Sequence, residues 1–308
     1  MKIDIVIVNW NAGTQLSDCI ASVRAHHAGR VGKCIVVDNG SSDGSADFLK
    51  DAPDVDLVLA GQNLGFGAAC NMGAARGQSD LLLFLNPDAC LLPGSLDQPA
   101  AYLEAPENKM TGVVGVGLVG EDSALQRSCD RFPTPTGLSL SCFGLNRIFP
   151  KLGIHMVDWD HMDSRNVPHV IGAFYLIRRS LFQDLNGFDQ RFFVYFEDMD
   201  LSLRVNKAEF DVFYLSSARA FHKGNGVSDQ VKAHRLFYSL RSRIQFCRKH
   251  FPAPAMTVVA VLTLLAEPIA RLGLLLASRR WAEIGDLWRG YAMLWGWVLV
   301  RLTGGVRS

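Results

Sequence analysis

The stretch Leu81-Leu82-Leu83-Phe84-Leu85-Asn86-Pro87-Asp88 decides the fold of this chain. Five apolar residues in a row, with no polar alternation, describe a strand buried on both faces, as in a parallel sheet covered by helices. Asp88 then stands where that strand ends, and open α/β sheets bind their ligands outside the carboxyl ends of their strands. Towards the N-terminus the same grammar repeats. Ile3 to Val8 is a β-branched run that stops at Asn9-Trp10-Asn11. Leu16, Ile20 and Val23 recur at helical spacing over about Thr14 to His26. Cys34 to Val37 is a second strand, stopped by the turn-forming cluster Asp38-Asn39-Gly40-Ser41-Ser42-Asp43-Gly44. A short helix carries Phe48 and Leu49, Val55 to Leu59 is a third strand, and Asn63-Leu64-Gly65-Phe66-Gly67 leads into a helix through Arg76. This β-α alternation predicts a doubly wound, mostly parallel sheet.

Towards the C-terminus, Val113 to Val119 reads as a strand, and about Ser128 to Asn166 as a long excursion on the substrate side. Val170 to Ile177 is strand-like, Arg178-Arg179-Ser180 opens a helix, and Glu197 to Lys207 is helical. Val212 to Leu215 is a strand followed by a loop holding His222. From Asp229 a basic helix carries Arg235, Arg241, Arg243, Arg248 and Lys249.

A length of 308 residues fits one large domain with an appendage, or two domains. The net charge of +1 gives no basic field for nucleic acid. Seven scattered cysteines without a Cys-x-x-Cys pair argue against a zinc site or a disulfide framework, and for a reducing compartment. Met1-Lys2-Ile3-Asp4 enters a strand at once, with no signal-peptide core, so the catalytic part is expected in the cytoplasm. The hydrophobic content of 49% gathers near the C-terminus. There Met256 to Ala266 is almost wholly apolar, then Glu267, Pro268 and Arg271 interrupt before Leu272 to Ala277. A spanning helix needs about 20 apolar residues, and a charge at its centre costs roughly 2.5–3.5 kcal/mol. Glu267 and Arg271, four apart, can pair on one helical face. The tail therefore reads as a helical hairpin in the membrane interface, with Trp281, Trp288, Trp295 and Trp297 at headgroup level and Arg279, Arg280, Arg289, Arg301 and Arg307 near phosphates. The competing reading is a hydrophobic helix packed on the domain or in a dimer.

Several residues carry chemistry. Asp38, at a strand end, is placed to accept the imide N–H of uracil or thymine, or simply to cap a turn. Asn63 to Gly67 lets backbone approach a ligand and opens a helix whose N-terminus favours negative charge. Asp88 suits a hard cation that takes one or two carboxylates plus phosphate oxygens and water. Glu197, Asp198 and Asp200 fall within one helical turn, and a general base is expected among them. His222 is a candidate metal or phosphate contact; the other histidines show no ligand spacing.

Taken together, these stretches resemble the inverting glycosyltransferases of family 2, in particular their rhamnosyltransferase-like branch. The matching segments are Ile5–Asn11, Val36–Ser45, Asn63–Gly67, Phe84–Asp88, Gly187-Phe188-Asp189 through Leu201, and His222-Lys223-Gly224, in the family's order. The resemblance implies a GT-A fold: Rossmann-like α/β, with a mostly parallel sheet and flanking helices. It places a catalytic domain at residues 1–228 and leaves residues 229–308 as a helical, membrane-associating region. It implies that Asn9, Asn11, Asp38, Asn63, Gly65, Asn86 and Asp88 hold the nucleotide sugar. Asp88 and His222 would hold a divalent cation, Mg²⁺ or Mn²⁺. Asp198 would be the base that deprotonates the acceptor hydroxyl, Glu197 would orient that acceptor, and Asp200 would support them. Many relatives have Asp-x-Asp where this chain has Asn86-Pro87-Asp88. The expected donor is dTDP-L-rhamnose, with UDP-hexoses as the alternative. The expected acceptor is a glycan or polyprenyl-diphosphate-linked sugar at the cytoplasmic side of the membrane, in synthesis of O-antigen or another surface polysaccharide. A silent sugar-nucleotide-binding protein and a nucleotidyltransferase are the other classes weighed.

Overall fold

The computed structural model describes residues 1–26, 29–224 and 231–303. In chain order its elements are β1 (Ile3–Asn9), α1 (Thr14–His26), β2 (Val31–Asp38), β3 (Val55–Leu59), α2 (Phe66–Ala74), β4 (Leu81–Leu85), β5 (Ala89–Leu91), α3 (Asp97–Glu104), β6 (Thr111–Val119) and β7 (Cys129–Asp130). Then come α4 (Pro135–Cys142), β8 (Arg165–Val167), β9 (His169–Val170), β10 (Phe174–Arg178), α5 (Arg179–Asp184), α6 (Glu197–Lys207) and β11 (Asp211–His222). The last are α7 (Lys232–His250), α8 (Ala253–Val261), α9 (Glu267–Ala277) and α10 (Ile284–Leu302). The described residues fall into two units. One comprises Met1–Phe132, His155–Phe193 and Glu197–Val227; the other comprises Pro133–Ile154, Val194–Phe196 and Ser228–Ser308.

In the first unit a sheet runs in the order β3-β2-β1-β4-β10-β6-β11-β5, with β8 added to β11. Pairs β2–β3, β1–β2, β1–β4 and β6–β11 are parallel. The unbroken apolar runs follow from burial on both faces. Ile3, Ile5, Ile7, Leu81, Leu83 and Leu85 pack with Leu16, Ile20 and Val23 of α1 and Leu103 of α3. Val6, Val8, Leu82 and Phe84 pack on the other side with Ala69 and Ala74 of α2, Leu181 of α5, and Leu201 and Val205 of α6. Each such side chain contributes about 1.5–3 kcal/mol by leaving water. Small residues bring α2 close to the sheet: a Cβ on Gly73 would lie 2.5 Å from Val6 Cγ1.

Three local expectations change. The strand-like run from Val170 to Ile177 is two strands broken at Gly172; β9 pairs with β7 apart from the main sheet, and β10 runs antiparallel to β4 and β6. The strand at Val212 extends to His222, so this histidine ends β11 opposite Ala89 and does not lie in a following loop. Ser216 and Ser217 disguise the extension, and the register against β6 shifts there, between Leu215 and Arg219. The excursion from Ser128 to Asn166 contains α4, whose start is capped by the Thr134 hydroxyl accepting from Gly137 N–H.

The second unit is helical. Leu240, Leu287, Tyr291 and Leu294 form its core. Ala253–Ala277 is one 25-residue helix containing an 18-residue stretch with a mean hydropathy of 1.9, and among the described residues it alone is long and apolar enough to cross a membrane. A π-turn at Leu262–Ala266 interrupts it, and Trp295 Nε1–H donates to the Leu264 carbonyl at 3.0 Å. Glu267, fully buried, is held by Arg243 of α7 and, at 2.9 Å, by Arg271 Nε. The expected start of the basic helix at Asp229, and Arg307, lie outside the described residues.

Candidate active site

The parallel strands β1, β2 and β4 end side by side, with Asn9 in register with Asp38. Asn9 is fully buried. Its amide nitrogen faces Asp38 Oδ1 at 2.9 Å, Ser41 Oγ at 3.0 Å and Ser45 Oγ at 2.9 Å, so it holds the Asp38 carboxylate and the following turn in place. Asn11, at φ +51°, receives Ser42 N–H on Oδ1 at 2.8 Å and gives its own N–H to Ser41 Oγ. Asp43 receives Gly13 N–H and both the N–H and hydroxyl of Ser45. Partial burial raises its pKa, but these donors outweigh that and hold it below its ordinary value. Asn63 Oδ1 accepts from Gly65 N–H and from Asn39 Nδ2, both at 3.0 Å. Gly65 needs its missing side chain. Its φ is +87°, and a Cβ there would sit 2.4 Å from the Phe193 carbonyl oxygen, which accepts the Phe66 N–H that opens α2.

Asp88 and His222 face each other at the adjoining edge, His222 Nε2 lying 3.5 Å from Asp88 Oδ1. That separation is too long for a good hydrogen bond. The ring's state follows from Gln126. Its Nε2 donates to the His222 carbonyl at 2.8 Å, which leaves Oε1 to accept from Nδ1 at 3.0 Å. With the ring's proton on Nδ1, the Nε2 lone pair faces a carboxylate oxygen, and a positive charge between the two, a proton or a cation, would satisfy both. A second hydrogen bond that fixes the tautomer is also what metal-binding histidines carry. The donor set, one carboxylate and one imidazole, fits a divalent cation that completes its shell with phosphate and water. Among the described residues no group of three or more metal-binding side chains gathers.

Asp198 lies at the start of α6. Its Oδ2 accepts Gly172 N–H and its Oδ1 accepts Met199 N–H, each at 2.8 Å, and the carboxylate remains partly exposed. The helix N-terminus adds further stabilisation to the charge. The two residues ahead of the helix, Tyr195 and Phe196, both have φ of +68°, a costly conformation for aromatic residues that recurs near functional sites. Glu197 is buried, and its Oε2 has no hydrogen-bond partner. Burial first, and Asp198 second, push its pKa well above the ordinary carboxyl value. Glu197 therefore holds its proton more tightly folded than unfolded. Its contribution to stability is complete below the unfolded pKa of about 4.3 and is lost as pH rises through the folded value. Glu197→Gln is expected to melt at least about 2 °C above wild type at pH 8, on the order of 1 kcal/mol, and to converge with it in acid. Equal melting at pH 8 would show that Glu197 is not held against its charge. Asp200 is fully buried and is bound by Arg204 Nε at 2.7 Å, while that guanidinium also donates to the carbonyls of Leu185 and Gly187. It anchors α6.

A short path joins these clusters. Gly172 donates to Asp198, and the carbonyl of the next residue, Ala173, accepts Asn86 N–H at 3.1 Å. The interruption at Gly172 thus sets Asp198 beside the end of β4. Sequence reasoning missed His169. Its Nε2 is 3.6 Å from Asp198 Oδ2, its Nδ1 meets Ser202 Oγ at 2.9 Å, and Ser202 in turn meets the Tyr175 hydroxyl at 3.0 Å. Ser202 is the only hydrogen-bond partner of the buried Tyr175 phenol among the described residues, so Tyr175 donates to Ser202. Ser202 then donates to Nδ1, and the ring's proton is left on Nε2, toward Asp198. Gln126 and Asn39 were missed as well. A glycine inside a strand pattern was the one available signal, since it marks a close backbone approach.

Comparison with known proteins agrees with this architecture. Residues 4–185 match the family described as glycosyl transferase family 2. The N-acetylglucosaminyl-diphospho-decaprenol L-rhamnosyltransferase of Mycobacterium tuberculosis is 29% identical over 238 residues, covering 71% of this chain and 75% of the relative. The rhamnosyltransferase WbbL of Escherichia coli is 30% identical over 204 residues, covering 62% of this chain and 72% of the relative. Among solved structures, the mannosyltransferase PcManGT of Pyrobaculum calidifontis, in complex with GDP-Man and Mn²⁺, superposes with a TM-score of 0.55 at 15% identity over 98% of this chain and 87% of that one, a likeness of GT-A fold. The expected family, fold and enzyme class therefore hold: the chain belongs to glycosyl transferase family 2, on its rhamnosyltransferase-like branch, and is a glycosyltransferase.

Proposed function

We propose that this enzyme transfers L-rhamnose from dTDP-L-rhamnose to a polyprenyl-diphosphate-linked sugar at the cytoplasmic membrane surface, with inversion, in assembly of a cell-surface polysaccharide. The observation that carries the reading is the opposed pair Asp88 and His222, a two-ligand cation seat at a strand edge shared with a fixed carboxylate, Asp198. The name of the mycobacterial relative, an L-rhamnosyltransferase acting on N-acetylglucosaminyl-diphospho-decaprenol, supports the transferred sugar and the class of acceptor.

Asp38 accepts the imide N–H of the base, steadied by Asn9. Asn63, Gly65 and Asn86 shape the wall against which the nucleotide sugar lies. Asp88 and His222 would hold a divalent cation, which would supply counter-charge to the diphosphate leaving group. Asp198 takes the acceptor's hydroxyl proton as that oxygen bonds to the anomeric carbon. The bond from that carbon to the phosphate oxygen breaks, and the nucleoside diphosphate departs with the electron pair. One displacement inverts the configuration. Glu197, whose carboxyl burial pushes toward the protonated form, lessens the negative charge beside Asp198 and orients the acceptor. His169 points a ring N–H at Asp198 and is a positioning residue. His169→Leu is expected to lower kcat about tenfold with donor KM unchanged, the order of one hydrogen bond to a charged group. His169→Gln, which keeps a donor, should restore most of it. Equal activity of the two variants would reduce His169 to packing.

The apolar tail supports membrane contact, and Glu267 argues for the surface over a span. Near the middle of the 253–277 helix it is tied to Arg243 of another helix, so crossing would carry that ion cluster into hydrocarbon. The reading is tested by release of nucleoside diphosphate from a panel of dTDP- and UDP-sugars, with Mg²⁺ or Mn²⁺ and a polyprenyl-diphosphate sugar. Acceptor-dependent release from dTDP-L-rhamnose alone is expected. Release from a UDP-hexose instead would overturn the donor, and release from none would overturn the transfer.

A further inference from the structure

We propose that Arg241 and Arg301, set against Trp297, form a binding site for the phosphate of a net-anionic membrane lipid; this rests on the membrane-surface reading above. The Arg301 guanidinium lies 4.6 Å from the Trp297 ring centroid and the Arg241 guanidinium 5.7 Å from it, with Phe237 6.0 Å from Arg241. Two like charges therefore share one indole. Cation–π attraction is worth about 0.5–2 kcal/mol for each and leaves their mutual repulsion standing.

Neither arginine forms an ion pair with a carboxylate among the described residues, and Arg241 Nε is buried without a hydrogen-bond partner. Arg243, two residues on in the same helix, does have its acid, Glu267. Burial first, and Arg301 second, hold the Arg241 guanidinium below its ordinary value. A half-buried cation beside another cation, with an idle donor, lacks an anion. The planar fork of a guanidinium matches phosphate oxygens in pairs, and two forks suit one phosphate. The rim selects the source. Arg301 is exposed near the end of α10, flanked around the helix by Val300 and Leu302, both exposed as well. A soluble phosphate has no use for that apolar edge, whereas a lipid presents its phosphate above acyl chains that fit it.

The test is sedimentation of the full chain with vesicles of phosphatidylcholine, with or without about one-fifth phosphatidylglycerol, a composition that gives the surface a negative potential. Wild type should prefer the anionic vesicles by at least about tenfold, and inorganic phosphate at matched ionic strength should not abolish the preference. The pair Arg241→Gln with Arg301→Gln should lose it. The charge-matched pair Arg147→Gln with Arg248→Gln, both exposed, should keep most of it. Arg301→Gln alone, at an exposed position, gives the same direction of change without a folding effect. Equal loss in both double variants would overturn the site and leave only general attraction of a basic surface. Competition by inorganic phosphate would overturn the lipid as its ligand. Failure of wild type to bind any vesicle would overturn the site together with the membrane reading. Preserved transfer to a detergent-dispersed acceptor would report an intact fold in every variant.

Discussion

Asp198→Asn is expected to reduce kcat by about 10²–10⁴ while binding the nucleotide sugar as tightly as wild type. The side chain is held by two backbone N–H groups, from Gly172 and Met199. Asparagine keeps the size but offers only one acceptor oxygen, and its amide nitrogen would meet one of those N–H donors. It has no basicity with which to take the acceptor's proton. In the proposed arrangement the donor lies against Asp38, Asn63, Gly65 and Asn86 and not Asp198, so its affinity should survive. Steady-state kinetics with donor titrated by calorimetry separates the two effects. Near-normal turnover would remove the base from Asp198, and a matching loss of donor affinity would make Asp198 part of the donor site.

Asp88→Ala should lose the cation-dependent part of donor binding and at least about 100-fold in kcat/KM, because the leaving diphosphate then departs without its counter-charge. The variant would leave His222, oriented by Gln126, without a carboxylate opposite. Added Mn²⁺ should be bound weakly by the variant even with nucleoside diphosphate present. Electron paramagnetic resonance of Mn²⁺ reads this without turnover. An unchanged titration would place the cation elsewhere or remove it from the account.

Much of this was legible in the sequence where local chemistry decides the outcome. Val55–Leu59 and Leu81–Leu85 are bounded by turn residues and were readable to the residue. The candidate chemistry of Asp38 and Asp88 came from strand ends, places where α/β sheets concentrate ligands, whereas the base role expected of Asp198 came from the family resemblance. Strand direction was not legible. An apolar run reads the same either way, so the antiparallel entry of β10 was hidden, and with it the approach of Gly172 to Asp198. The length of β11 was masked by Ser216 and Ser217, which sit where its register slips. His169 and Gln126 act only through partners 29 and 96 residues away in the chain, Asp198 and His222, and a lone histidine or glutamine carries no periodic signal. The Glu267–Arg271 pair was readable from a spacing of four; the second arginine, Arg243, comes from another helix and was not.

The central claim is a single cation-assisted displacement in which Asp198 is the base. The anomeric configuration of the transferred sugar, read by NMR on the product of one enzymatic transfer, tests it most directly. A configuration opposite to that of the donor is the expected result. A retained configuration would contradict the account, since it would require either two displacements through an enzyme nucleophile or front-face attack, and Asp198 would no longer serve as the base described.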